Sequence, residues 1–85
     1  MNISEDRIYG THIYFDFFGR SESGKTMIWE VITNDGNTRL GIVSWFGRWR
    51  KYAFYPNGGT VFEEKCLREI AEVCETITKL HRKKK

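Results

Sequence analysis

Hydrophobic and polar positions alternate with a period of two along the first part of the chain. In RIYGTHIYFDFFGR, Thr11, Ile13, Phe15 and Phe17 interleave with His12, Tyr14, Asp16 and Phe18, the pattern of a half-buried strand. KTMIWEVIT is dense in β-branched and aromatic residues and predicts a second strand. Asn34-Asp35-Gly36-Asn37 contains Asp-Gly, a strong hairpin signal, and RLGIVSWFG follows as a third strand. RWRKYAFYP forms a fourth strand or a bent continuation of the third, and Pro56-Asn57-Gly58-Gly59 then breaks the chain.

Beyond Gly59 the period changes. Cys66, Leu67, Ile70, Val73, Cys74, Ile77 and Leu80 recur at spacings of three and four, with polar residues between them. This is one amphipathic helix over about residues 61–80. Thr60-Val61-Phe62-Glu63 reads as its capping box, and acids at its start with bases at its end suit the macrodipole. The expected fold is α+β: an antiparallel three- to four-stranded meander sheet with one C-terminal amphipathic helix packed on one face. Residues 1–80 make a single β-β-β(-β)-α domain, and residues 81–85, HRKKK, a basic tail that frays into solvent.

One helix covers one sheet face, yet apolar residues occupy both alternations. Met27, Trp29 and Val31 oppose Ile28 and Ile32; Leu40, Ile42 and Phe46 oppose Val43 and Trp45. The face turned from the helix is therefore expected to present apolar area, a common mark of an interaction surface.

Composition sharpens this picture. The chain has 85 residues, enough for one small core, and its six Phe, four Tyr and three Trp supply large buried areas. No apolar run approaches the roughly 20 residues of a membrane helix, and MNISEDRIYG lacks the apolar segment of a signal peptide. A cytoplasmic location is expected. Cys66 and Cys74 lie about 12 Å apart along the predicted helix, beyond disulfide reach, and read as buried free thiols. Two cysteines and the distant His12 and His81 do not compose a zinc site. Net charge is +3, distributed in blocks. Residues 1–38 carry −3, residues 39–51 carry +4, residues 60–78 carry −3, and residues 79–85 carry +5.

Gly19 to Thr26 spells G-x-x-x-x-G-K-T, the pattern of a phosphate-binding loop. That loop works because its amides join those of a following helix N-terminus. Here Met27-Ile28-Trp29-Glu30-Val31-Ile32-Thr33 predicts a strand instead, so the match reads as a hairpin turn. No serine triad can be composed from the two histidines, and His12 and Asp16 stand roughly 13 Å apart along a strand. The sequence offers no constellation for catalysis, cofactor or metal, and the expectation is a protein that is not an enzyme.

Binding is the alternative. Between Arg39 and Tyr55 cations alternate with aromatics, and Arg39, Trp45, Arg48, Trp49, Arg50, Lys51 and Tyr52 are the candidate partner-binding residues. Cations that neutralise phosphates beside rings that stack on bases suit nucleic acid. The competing reading makes the alternate aromatics core residues, with long cations snorkelling over their edges.

Two resemblances bear on function. A sheet followed by a C-terminal helix resembles, in element order, the sheet-reading DNA-binding domains of certain plant transcription factors and of integrase arms. The run WRKYAFYP, with Thr60-Val61-Phe62 and then Cys66-Leu67-Arg68-Glu69-Ile70, is similar to small uncharacterised bacteriophage and prophage proteins sharing WR-x-Y-x-F-x-P and Cys-Leu-x-x-Ile. That resemblance implies a phage-encoded accessory protein acting on a host nuclease, a defence complex such as a CRISPR effector, or a replication component. The leading expectation is a small non-catalytic module that binds or inhibits a host protein or protein–nucleic-acid complex. The alternatives are direct DNA or RNA binding through Arg39, Arg48, Arg50, Lys51 and the Lys79–Lys85 tail, and a self-associating structural protein forming a homodimer.

Overall fold

The computed structural model describes residues 2–3 and 7–83. Six strands precede one helix: β1 (Asn2–Ile3), β2 (Arg7–Tyr9), β3 (Ile13–Arg20), β4 (Met27–Thr33), β5 (Arg39–Phe46), β6 (Lys51–Pro56) and α1 (Glu64–Lys83). The strands form one antiparallel sheet in the order β1-β2-β3-β4-β5-β6, a meander throughout. The fold is α+β as the patterning predicts, but the sheet is wider than three to four strands. The difference arises at Gly10, whose N–H donates to the Ile13 carbonyl at 2.9 Å and turns the chain. RIY therefore folds back as β2 instead of extending β3, and pairs Ile8 with Phe15.

Cross-strand register assembles the core in rows. Ile8, Phe15 and Val31 are successive partners, as are Phe17, Trp29, Val43 and Phe54. Helix α1 contributes Ile70, Val73 and Ile77 to the same buried cluster. Each such side chain, removed from water, contributes about 1.5–3 kcal/mol. Two β-bulges, between Phe17 and Gly19 and between Val31 and Ile32, shift the register just beyond these rows. At the second, Gly41 adopts φ 155°, where an added Cβ would fall on the Tyr55 carbonyl oxygen and within 2.9 Å of the Pro56 Cα. The space there belongs to backbone.

Helix α1 begins three residues later than the periodicity suggests. The capping box does not form: the Thr60 hydroxyl donates to the Asn57 carbonyl at 2.7 Å, within the preceding turn. Glu63 caps the helix instead, its carboxylate accepting from the Cys66 N–H at 2.7 Å. At the other end the helix continues to Lys83, so His81, Arg82 and Lys83 are helical and not part of a frayed tail. Lys84 and Lys85 lie outside the described residues. Residues 27–33 run extended as β4, so the glycine-lysine turn before them leads into a strand and not into a helix N-terminus.

Candidate functional site

The meander sorts its turns by end. The β3–β4 turn, the β5–β6 turn and the C-terminus of α1 gather at one end of the sheet. The β2–β3 and β4–β5 turns and the start of α1 gather at the other. Three aromatic contacts bring the C-terminus of α1 to the first end. The His81 ring lies 4.7 Å from Trp45 and 6.3 Å from Tyr52, and Trp45 meets Tyr52 edge-on at 5.3 Å. A polar bond locks them. Thr78, buried, accepts from the Tyr52 N–H at 3.0 Å and donates to the Cys74 carbonyl at 2.6 Å.

This end collects cations from separate stretches of sequence: Arg20 and Lys25 from the β3–β4 turn, Arg48, Arg50 and Lys51 from the β5–β6 hairpin, and Lys79, Arg82 and Lys83 from α1. Glu22 and Glu75 are the acids among these segments. None of these cations forms an ion pair with another described residue. Among the described residues this end is therefore positive.

Local geometry builds each piece. In the β3–β4 turn, Ser21 and Thr26 pair through their backbones, Gly24 takes φ 73°, and the Ser21 and Ser23 hydroxyls brace the loop at 3.2 Å. The Ser23 hydroxyl accepts from the Lys25 N–H at 3.3 Å. In the β5–β6 turn, the Trp49 N–H donates to Phe46 and the Arg50 N–H to Gly47. Arg50 takes φ 54°, the left-handed region that disfavours a side-chain-bearing residue by roughly 1–2 kcal/mol. Its carbonyl accepts from the Arg82 guanidinium at 2.9 Å. Trp49 is 61% exposed and packs edge-on against Phe46 at 4.6 Å.

Between the two turns and α1 lies a cleft of about 710 Å³, lined by Ser21, Ser23, Lys25, Thr26, Ser44, Trp45, Gly47, Arg50 and His81. Beside it, between β6 and α1, a groove of about 350 Å³ is lined in part by Lys51, Cys74, Lys79 and Arg82. Burial pushes the Cys74 thiol up to about 11, so near neutrality it stays protonated. Burial also raises the Tyr52 phenol, whose oxygen accepts from the Met27 N–H at 3.1 Å.

The residues expected to contact a partner do not form one surface. Arg48, Trp49, Arg50 and Lys51 stand together on the β5–β6 hairpin, and Trp45 lines the cleft beside them. Tyr52 is 3% exposed and belongs to the core. Arg39 starts β5 at the opposite end, about 25 Å from the hairpin turn at strand rise, and pairs with Glu30 at 3.3 Å. Reasoning from sequence missed Ser21, Ser23, Lys25, Ser44 and His81. The signal for Lys25 was the glycine-lysine turn itself, whose position beside Arg50 only the strand order reveals.

The face of the sheet turned from α1 is mixed. Tyr9, Tyr14, Ile28, Ile42 and Tyr55 lie on it beside the Arg7–Asp16 and Arg39–Glu30 pairs, each at 3.3 Å. Among the described residues no group of three or more His, Cys, Asp and Glu side chains is placed to hold a metal, and no helix is long and apolar enough to cross a membrane.

Comparison with known proteins gives a phage context. An uncharacterised 9.3 kDa protein of Acholeplasma phage L2 is 39% identical over 46 residues, which cover 54% of this chain and 59% of that protein. The match thus spans about three-fifths of the length of the phage protein. No family model matches the chain, and no solved structure matches it.

Proposed function

We propose that this chain is a non-catalytic nucleic-acid-binding module of phage type, which contacts its target through the basic end of the sheet. One observation carries the reading: cations separated by up to about sixty positions in sequence converge on one end without ion-pair partners among the described residues. Uncompensated cations confined to one surface repel each other and are retained at a cost to the fold, whereas phosphates neutralise them on binding. Trp49, exposed beside Arg48 and Arg50, supplies a ring face for a base. The phage context rests on the similarity to the phage protein, and an accessory role in replication or in countering a host nuclease is compatible with it.

The test is a salt titration. Binding to labelled oligonucleotides should weaken steeply between about 50 and 200 mM salt as counterions reassociate. Failure to bind any single strand or duplex at about 50 mM salt overturns the proposal.

A second reading has its own observation. Tyr9 and Tyr55 are exposed on the open face, whose ion pairs are already satisfied internally, and such a surface suits a protein partner. Capture of one host protein from lysate, surviving nuclease treatment and lost in Tyr55→Ser but not in Arg48→Glu, supports this reading over the first.

A further inference from the structure

We propose that the basic end accepts a single strand and not a duplex, and that the cleft between the β3–β4 and β5–β6 turns holds one unstacked nucleotide of it. The inference rests on reading that end as a nucleic-acid surface, and it adds the strand type and the seat.

Shape comes first. At about 710 Å³ the cleft, open to solvent, has the volume of roughly 300–1,000 Å³ common to small-molecule sites, room for one nucleotide. A base inside a duplex is stacked above and below and shows only its edge, so it cannot enter a hollow. An unstacked nucleotide can be inserted whole. At this end α1 is packed through His81 on Trp45, which leaves the β5–β6 hairpin as the element that would enter a major groove if a duplex were bound.

Chemistry agrees with shape. Lys25 and Arg50 stand on the walls as phosphate partners, while the planar rings of Trp45 and His81 line the interior where a base would stack. Serine hydroxyls from Ser21 and Ser23 supply donors and acceptors for a sugar or a base edge. The neighbouring groove, where Lys51, Lys79 and Arg82 outnumber the one carboxylate of Glu75, continues the cationic path, and the Arg82–Arg50 contact joins the two hollows. A phosphodiester leaving the cleft therefore meets further cations.

The backbone of Arg50 adds an independent observation. A left-handed conformation at a residue other than glycine is a stored cost, and such costs gather at functional sites. Glycine would occupy that position without strain, but it would remove the guanidinium from the cleft.

The experiment uses the full chain with labelled oligothymidylate, oligouridylate and duplex of about 20 residues, followed by fluorescence anisotropy across the salt range of about 50–200 mM. A single strand should bind at least about tenfold tighter than duplex, the equivalent of one stacked base. Lys25→Ala, at an exposed turn position, should melt like the wild type, weaken single-strand binding and lower the logarithmic salt slope by about 0.7. Lys25→Arg should restore that slope. Equal affinity for single strand and duplex, or tighter duplex binding, overturns this inference and leaves the nucleic-acid reading standing. An unchanged affinity and slope in Lys25→Ala overturns the seat. Absence of binding to all three probes at the lowest salt overturns both inference and reading.

Discussion

The two ends of this sheet use charge in opposite ways. At the end holding the start of α1, carboxylates are tied to the fold. Glu69 accepts from the His12 backbone N–H at 3.1 Å with both oxygens, pinning the β2–β3 turn to the helix. Glu63 caps α1, and Asp35 accepts from the Thr33 hydroxyl at 2.6 Å and the Asn37 N–H at 2.9 Å. At the other end the cations form no ion pair with a described residue and bond only to backbone carbonyls, Arg20 to Gly24 and Arg82 to Arg50, and Arg50 itself sits in a strained conformation. Polar groups engaged within the chain stabilise it; polar groups left unengaged on one surface are available to a partner. The contrast teaches which end to test for binding and which for folding.

Predictions follow from separating the ends. Ile70→Ala, in the core beneath both, should destabilise by about 2–5 kcal/mol through the cavity it leaves, measured by denaturant unfolding. Glu69→Ala should cost about 1–3 kcal/mol, because the His12 N–H loses its acceptor, yet leave oligonucleotide affinity unchanged. Thr78→Val should cost a similar amount, about 1–3 kcal/mol, by stranding the Tyr52 N–H, but it should also weaken binding because it loosens α1 from β6 beside the cleft. Arg50→Gly should do the reverse of Glu69→Ala: stability equal to the wild type or better by up to about 1–2 kcal/mol, with binding reduced.

Acid distinguishes the ends more gently. The Cys66 N–H lowers the Glu63 carboxyl, and the Thr33 hydroxyl lowers that of Asp35. Both are depressed in the folded state, so their stabilisation is complete above the unfolded carboxyl range, near pH 4. It is lost as pH falls through the lower folded values. Thermal melts should therefore decline below about pH 4, and Asp35→Asn should flatten part of that decline. Raised pH acts on the other end, where the Cys74 thiol, pushed up to about 11, favours the folded state less as its unfolded counterpart ionises first.

Much of the fold is legible in the sequence because it follows local periodicity. The strands around Phe15, Trp29, Val43 and Phe54 alternate, and Ile70, Val73 and Ile77 repeat with helical spacing. What local pattern does not encode is a turn set by one backbone bond: Gly10 splits β2 from β3 through the Ile13 carbonyl, and RIY keeps its alternation either way. The cap moved for a related reason: the turn that holds Thr60 against the Asn57 carbonyl delays the helix to Glu64, where the Glu63 carboxylate and not the Thr60 hydroxyl reaches a free N–H. Of the site, the β5–β6 hairpin is visible as a cation–aromatic run. Its partners Lys25 and His81 are brought in by strand order and by Trp45, and no spacing in the sequence relates them. Arg39 belongs to the same run but is carried to the far end by the length of β5.

The central claim, that the unengaged cations form the binding surface, is tested most directly by oligonucleotide affinity of Arg48→Glu/Arg50→Glu beside the wild type at about 50 mM salt. The account predicts matching thermal melts and a loss of affinity of about a hundredfold, with a shallower salt dependence. An affinity and salt slope equal to the wild type in a correctly folded double variant would contradict it.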